Sequence, residues 1–372
     1  FAIAVCGCSN IEDASPAKRN TFIRFYESNY NFTGITAEET STGFFIVGNE
    51  EISEDSVITK IIITDKNGQA ISQSHIFAGK AKALLTTSQG YYIIGDSIKI
   101  TPESEQVANI ITSSCFITSL TPAGIPVKTV YIQDNSDAVV KADFTSSAIT
   151  TNADGELLLL ATHRKLPSES QKSMIVAFDQ NLTPLWLQTY DLIDRDYSNT
   201  KSIHYNNGNL IWASAIVKNQ QAFTHSYLAL PFVKEASVPV NNDKFGETTE
   251  QFLQVEDIQA SRTKELGYGV IGTSATINNQ RANMFFIRVS TTGNVIEGSE
   301  RYFDGILSEN NTSILPDNSG TEDYGTALSS TQDGGFILAG NTLSTESRGN
   351  GGRDIILIKT NALGDPIWNK LL

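Results

Sequence analysis

The chain has 372 residues, of which 40% are hydrophobic, and these include 18 Phe, 12 Tyr and 3 Trp. A length well above the usual domain size of about 100–200 residues indicates either several domains or one repeat architecture. The apolar content excludes a disordered protein. The net charge of −14 would repel a phosphate backbone, and no run of Lys or Arg offsets it, so we expect no nucleic-acid partner.

The first ten residues are largely apolar and have the character of the end of an export segment. Within them, Val5-Cys6-Gly7-Cys8 resembles a bacterial lipobox, in which a small residue directly precedes the cysteine that becomes lipidated. Cys8 fits this role better than Cys6, whose preceding residue is Val5. The resemblance therefore predicts lipidation at Cys8, and the alternative is a buried N-terminal strand.

This resemblance implies that residues 1–20 hold a signal-peptide remnant, the lipobox and a tether, and that the membrane is a partner through the lipid anchor. Glu12-Asp13 also resemble the acidic residues that follow the lipidated cysteine in surface lipoproteins of the Bacteroidetes. We expect a cell-envelope, outer-membrane lipoprotein, with surface exposure left open. Only Cys115 remains besides the two cysteines of the lipobox, so a disulfide framework is excluded.

Six segments share one pattern, a Gly followed by a short apolar strand. They start 47 to 68 residues apart, a period that suits four strands and their loops. The segments are Gly43–Gly48, Gly90–Gly95, Gly155–Leu160, Gly208–Ala213, Gly267–Gly272 and Gly335–Gly340.

A second apolar strand follows each segment and ends in a turn, as at Asn67-Gly68, although the fourth unit is degenerate here. A further strand closes the unit, as in Pro366–Leu371. Two hairpins per unit predict an all-β fold, a β-propeller of six four-stranded blades formed by a single domain over residues 21–372. Seven blades are the alternative, because Phe22–Tyr26 resembles a spare strand.

The last unit carries the most specific likeness. Asp333–Thr342 and Gly351–Trp368 resemble the repeat of bacterial propellers typified by "DGGYILAG…DIYLIKTDANGNVLW". The resemblance implies a Bacteroidetes-like lipoprotein with propeller repeats, and it identifies a scaffold rather than an activity.

Candidate site residues come from two short segments that end 11 residues before the Gly of the next apolar strand. These segments place Asp196 and Tyr197 in one unit and Asp323 and Tyr324 in another. Their side chains could bind calcium or sugar hydroxyls at the mouth of a propeller. The alternative is that the acidic residue caps a turn and the tyrosine packs between blades.

No catalytic motif is present, and the four histidines fall in different units without metal-ligand spacing. The sequence therefore predicts no catalytic residue, no metal and no cofactor. The favoured function is a binding scaffold for a glycan, a peptide or a partner protein. The alternatives are a polysaccharide hydrolase or lyase with its active site at the axial mouth, and a structural role marked by a wide exposed apolar patch.

Overall fold

The computed structural model describes residues 26, 30–53, 56–76, 79–101, 110–133, 142–165, 172–190, 197–206, 209–218, 221–229, 251–263, 267–276, 282–291, 294–303, 322–344 and 352–371. Its regular elements in these ranges are 23 β-strands. The strands are β1 (Asn31–Glu39), β2 (Gly43–Ser53), β3 (Ser56–Asp65), β4 (Ala70–Ile76), β5 (Lys80–Thr87), β6 (Gly90–Thr101), β7 (Ile110–Leu120), β8 (Pro126–Ile132), β9 (Ala142–Thr151), β10 (Leu157–Lys165), β11 (Lys172–Phe178), β12 (Pro184–Tyr190), β13 (Tyr197–Asn206), β14 (Asn209–Lys218), β15 (Gln221–Ala229), β16 (Gln251–Ala260), β17 (Tyr268–Thr276), β18 (Ala282–Val289), β19 (Arg301–Phe303), β20 (Asp323–Ser330), β21 (Phe336–Ser344), β22 (Gly352–Thr360) and β23 (Pro366–Leu371).

Consecutive strands pair in chain order into six separate sheets. Sheets 1, 2 and 3 contain β1–β4, β5–β8 and β9–β12, and sheets 4, 5 and 6 contain β13–β15, β16–β19 and β20–β23. The all-β prediction is confirmed, and such meanders are the blades that a β-propeller repeats. Five sheets have four strands, so the expected six or seven four-stranded blades are not found. Sheet 4 has three described strands, and residues 230–250 after it lie outside the described ranges.

The chain divides into two compact units. Unit 1 contains Phe1–Ile149, His163–Glu169 and Val176–Trp186, and unit 2 contains Thr150–Thr162, Ser170–Ile175 and Leu187–Leu372. Sheets 1 and 2 belong to unit 1 and sheets 4 to 6 to unit 2, while the strands of sheet 3 are shared between the units. The single domain over residues 21–372 stays a prediction.

The turns between the third and fourth strands have a common design. In sheet 1 the Asp65 carboxylate accepts hydrogen bonds from the N–H groups of Asn67 and Gln69, both at 2.8 Å, and Gly68 adopts a φ of 74°. An Asx side chain that binds the backbone two and four residues ahead fixes such a turn, and Gly allows the left-handed residue at little cost. The predicted turn at Asn67-Gly68 is confirmed.

In every sheet for which the register between the first and second strands is described, a β-bulge interrupts the first strand. The bulge lies opposite Gly48, Gly95, Gly272 and Gly340, and opposite Ser214 in sheet 4. A Cβ atom on Gly340 would overlap the Tyr324 carbonyl oxygen. The glycine that ends the repeated segment therefore accommodates the close approach of the bulged strand.

The apolar core of unit 1 includes a layer between sheets 1 and 2. Phe45 and Ile61 of sheet 1 meet Ile93 and Phe116 of sheet 2, and all four are buried. The ring of Phe45 also stacks on Tyr91 with 4.2 Å between centroids. Each buried apolar side chain of this size stabilises the fold by roughly 1.5–3 kcal/mol, so these layers hold successive sheets together.

Unit 2 repeats this layering between sheets 5 and 6. Phe286 and Phe303 of sheet 5 pack against Phe336, Leu338 and Ile356 of sheet 6. A further layer joins Ile211 of sheet 4 to a group in sheet 5 that includes Tyr268 and Phe285. The aromatic residues of the repeated segments thus serve the core where their side chains are described.

The fourth strands β4, β8, β12 and β23 each lie at an edge of their sheet and carry exposed apolar residues. Ile71 on β4 and Val127 on β8 are 65% and 67% exposed, and Trp368 on β23 is 39% exposed. Three of these edge strands, β8, β12 and β23, begin with proline. Proline at an edge removes a backbone donor and so limits pairing with a foreign strand.

Candidate functional site

The structure describes only part of the predicted site. Cys8 and Asp196 lie outside the described residues, and Tyr197 is the first residue of β13, with its side chain not described. Asp323 and Tyr324 are fully described and open β20. The site can therefore be evaluated in sheet 6.

Asp323 and Tyr324 lie on opposite faces of sheet 6, because successive residues of a strand alternate. Asp323 is 1% exposed and lies opposite Thr342, which lies opposite Asp354 on the next strand. This buried polar row extends the face that holds the Phe336 core. Asp323 is consequently part of the interior, and only Tyr324 of the predicted pair contributes to a surface.

Tyr324 belongs to a compact group of exposed and half-buried polar side chains, the Tyr324 cluster, defined as Glu322, Tyr324, Asn341 and Arg353. The Tyr324 hydroxyl donates to Glu322 Oε2 at 3.0 Å, and the Arg353 guanidinium carbon lies 4.8 Å from the centroid of the Tyr324 ring. Arg353 donates to Asn341 Oδ1 at 2.9 Å and more weakly to Glu322 Oε2 at 3.5 Å. A carboxylate, a phenol, a carboxamide and a guanidinium thus share one surface.

Strand pairing fixes three members of the Tyr324 cluster. Tyr324 lies opposite Asn341 in the pairing of β20 with β21, and Arg353 lies on β22, the next strand of the same sheet. Glu322 precedes β20 directly. Binding groups held by strands of a sheet keep their geometry better than groups on loops.

The Tyr324 cluster keeps unused hydrogen-bonding capacity. Among the described residues, Glu322 Oε1, Arg353 Nε and Asn341 Nδ2 make no hydrogen bond within 3.5 Å. The side chains of Arg353 and Glu322 are 52% and 37% exposed, so a molecule arriving from solvent can reach both. The cluster therefore offers one strong acceptor beside several donors.

The sequence singled out Tyr324 as a candidate, and it did not single out Arg353 or Asn341. Arg353 lies near the start of β22 (Gly352–Thr360), and no sequence motif marks it. Arg353 and Glu322 are 31 residues apart in sequence. Only the register of the pairing between β20, β21 and β22 brings these two residues together, and the register cannot be derived from the composition.

A second polar group links sheets 2 and 3 within unit 1. Asp96 Oδ1 accepts hydrogen bonds from the N–H and the hydroxyl of Ser146, both at 2.7 Å, and Asp96 Oδ2 lies 3.6 Å from Lys82 Nζ. Burial raises the pKa of Asp96, more than the Ser146 hydrogen bonds and Lys82 lower it. A carboxyl group with a raised pKa is a candidate for acid–base chemistry.

The same position has a plainly structural role in sheet 1. Asn49, which follows Gly48 as Asp96 follows Gly95, donates from Nδ2 to the Ala81 carbonyl at 3.0 Å and accepts from the Ala81 N–H at 2.8 Å. Both side chains therefore connect the second strand of one sheet to the first strand of the next. This recurrence favours a structural interpretation of Asp96.

Sheet 1 also buries a charged group on the opposite face. Glu50 lies 3.3 Å from both Lys60 Nζ and His75 Nε2, and Glu50 and Lys60 are 5% and 4% exposed. Lys60 lies opposite Gly48, the position that Ile356 occupies opposite Gly340 in sheet 6. The buried pair of Glu50 and Lys60 thus has an apolar counterpart at the equivalent position of sheet 6, and its two opposite charges balance one another.

Metal and thiol chemistry find little support in the described part of the chain. No group of three or more His, Cys, Asp or Glu side chains that could hold a metal ion occurs among the described residues. Burial raises the pKa of the Cys115 thiol well above its ordinary value, which disfavours the reactive thiolate. In the described ranges, no helix combines the length and the apolar character needed to cross a membrane.

The comparisons with known proteins are sparse. No protein family matches the chain, and no curated protein matches it. The solved structures that resemble it at low identity include candidate 6-phosphogluconolactonases from Bacteroides fragilis and Bacteroides uniformis, and the Trypanosoma rangeli sialidase in complex with 2,3-difluorosialic acid.

The two Bacteroides proteins share 9% and 8% sequence identity with the chain, with TM-scores of 0.46 and 0.47. These alignments cover 90% and 88% of this chain and 86% and 85% of the other chains. The sialidase shares 10% identity at a TM-score of 0.43, with 90% of this chain and 55% of the sialidase covered. Likenesses of this strength carry no argument about activity, so function has to be argued from the contacts of the site.

Proposed function

We propose that the chain is a binding protein of the cell envelope whose Tyr324 cluster takes part in recognising a glycan, a peptide or a partner protein. The observation that carries this proposal is the combination of exposure and unused hydrogen-bonding capacity in Glu322, Asn341 and Arg353. By contrast, Asn49 uses both its donor and its acceptor inside the protein, on Ala81 of the next sheet.

The proposed attachment to the membrane rests on the sequence of the lipobox. A lipid-modified Cys8 would hold the chain at the outer membrane through the tether that precedes residue 21. Replacing Cys8 by Ala should release the protein from the membrane fraction and abolish incorporation of labelled palmitate, whereas Cys6→Ala should leave both unchanged. Continued labelling of the Cys8→Ala variant would contradict the assignment.

Binding can be tested with the full chain on immobilised glycan and peptide arrays. We expect the wild-type chain to bind members of one class and the double variant Glu322→Ala/Arg353→Ala to lose that binding. Arg164→Lys is a matched control, because Arg164 is similarly exposed and lies 3.8 Å from the Asp143 carboxylate. Binding that survives in the double variant, or no binding on either array, would contradict the proposal.

Asp96 supports a second candidate function, a polysaccharide hydrolase or lyase. Burial raises the pKa of the Asp96 carboxyl group, as in groups that act as general acids, and Lys82 lies nearby. Release of reducing ends from polysaccharides by the wild-type chain, lost in Asp96→Asn, would support this function. Equal release by both chains, or none by either, would exclude Asp96 as the acid.

A further inference from the structure

The unused groups of the Tyr324 cluster differ in their chemical character. Glu322 Oε1 is an acceptor only, whereas Arg353 Nε and Asn341 Nδ2 are donors only. Arg353 donates to Asn341 and to Glu322, and Glu322 also accepts from the Tyr324 hydroxyl, so the side chains that carry the unused atoms are held in one group. A ligand that satisfies them must offer both a donor and an acceptor to one small surface.

Two adjacent hydroxyl groups of a sugar ring meet this requirement. One hydroxyl can donate to the Glu322 carboxylate while its neighbour accepts from Arg353 or Asn341. Hydrogen bonds that involve ionised groups are the stronger kind, and each hydroxyl can rotate its hydrogen to suit the site.

Charge decides between neutral and acidic saccharides. Glu322 and Arg353 form an ion pair with N···O 3.5 Å, so their formal charges cancel within the cluster. The whole chain carries a net charge of −14, which disfavours the approach of an anion. An acidic sugar would therefore bring a negative charge to a surface that provides no net positive charge.

From these contacts we infer that the Tyr324 cluster binds a neutral saccharide through vicinal hydroxyl groups. The inference rests on the proposed binding function and narrows it to one class of ligand. Glu322 accepts from one hydroxyl, Arg353 and Asn341 donate to the next, and Tyr324 holds Glu322 in place through its own hydroxyl.

Isothermal titration of the full chain tests the inference with defined probes. The probes are cellohexaose, mannohexaose and galactohexaose, together with hexagalacturonate, which matches galactohexaose except for its carboxylates. We expect at least one neutral probe to bind and hexagalacturonate to bind more weakly than galactohexaose. Loss of one charged hydrogen bond should weaken neutral binding about tenfold or more in Glu322→Gln and in Arg353→Lys.

Glu322→Gln also gives a result that simple loss of structure would not. Removal of the negative charge leaves Arg353 uncompensated, so hexagalacturonate should gain affinity relative to galactohexaose in this variant. Arg164→Lys should bind every probe as the wild type does. The inference is overturned if no neutral probe binds, or if hexagalacturonate is preferred by the wild-type chain.

The outcome also separates this inference from the proposed function. If the arrays show peptide binding that depends on Glu322 and Arg353, while no saccharide binds in titration, the proposed function stands and the saccharide inference is wrong. If no ligand binds in either experiment, both are wrong. Thermal unfolding of each variant verifies that Glu322→Gln and Arg353→Lys remain folded.

Discussion

At Leu182 the strain of a left-handed backbone opposes the stability gained by burying the side chain. In the turn between β11 and β12, Asp179 accepts from the N–H groups of Asn181 and Thr183, and Leu182 has a φ of 58°. Glycine holds the corresponding place in the turns at Gly68 and at other sheets. Leu182 is 1% exposed, so a strained backbone coincides with a buried side chain.

The two contributions can be estimated separately. A left-handed conformation costs a residue with a Cβ roughly 1–2 kcal/mol. Truncation of a buried leucine to alanine costs about 2–5 kcal/mol. We therefore expect Leu182→Ala to lose about 2–5 kcal/mol and Leu182→Gly, which relieves the strain, to lose about 1–3 kcal/mol. The stability order is wild type, then Leu182→Gly, then Leu182→Ala.

Urea unfolding followed by tryptophan fluorescence measures this order. Gly298→Ala is the control for backbone strain alone, because Gly298 has a φ of 72° and a Cβ atom there would meet no heavy atom within 4 Å. It should cost about 1 kcal/mol. If Leu182→Ala is as stable as Leu182→Gly, the strain is absent, and if Leu182→Gly matches the wild type, the stability lost with the buried side chain is no larger than the strain that glycine relieves.

Three further predictions concern pH and packing. Because the pKa of Asp96 is raised, its stabilising contribution is complete below the ordinary pKa of 3.8 and is lost as pH rises through the folded-state pKa. In urea unfolding, the free energy of unfolding that Asp96→Asn loses relative to the wild type should therefore be smaller at pH 7 than at pH 4. Hydrogen bonds from Thr331, and next from Lys359, lower the pKa of Asp333. Asp333→Asn should therefore lower the free energy of unfolding at pH 7, and this loss should shrink as pH falls below 3.8. A loss that does not depend on pH would argue against this. Gly48→Ala places a Cβ atom against the Phe32 ring and should lower stability by about 1–3 kcal/mol in thermal unfolding, and an unchanged midpoint would show that the bulged strand can yield.

The repeat of strands and turns could be predicted from the sequence because its signals are local. Apolar runs opened by Gly predicted β2, β6 and β21, and turn residues such as Asn67-Gly68 predicted their hairpins. The bulges could not be predicted, because an extra residue in a strand changes spacing without a distinctive residue type. Gly48 and Gly95 appear in the sequence as repeat markers, and their role opposite a bulge is evident only from the register.

Only part of the candidate site could be derived from the sequence, again because strand register is not visible there. Tyr324 stood out because of its distance from a repeat marker, yet its neighbour Asp323 faces the core, as strand alternation requires. Arg353 joins Tyr324 only through the pairing of β20, β21 and β22. The buried ion pair of Glu50 and Lys60 was equally hidden, since charged residues within an apolar run do not reveal which of them are buried.

The side-chain hydrogen bonds between successive sheets bear on how the number of repeats in such a chain could change during evolution. Asn49 binds the main-chain N–H and C=O of Ala81, and Asp96 binds the main-chain N–H of Ser146 in addition to its hydroxyl. In these two contacts the earlier sheet supplies the side chain, and the next sheet mainly supplies backbone atoms that nearly any residue possesses. A duplicated gene segment encoding one sheet would bring its own connector and demand little of its new neighbour, so the length of the array can change during evolution without matched substitutions on both sides.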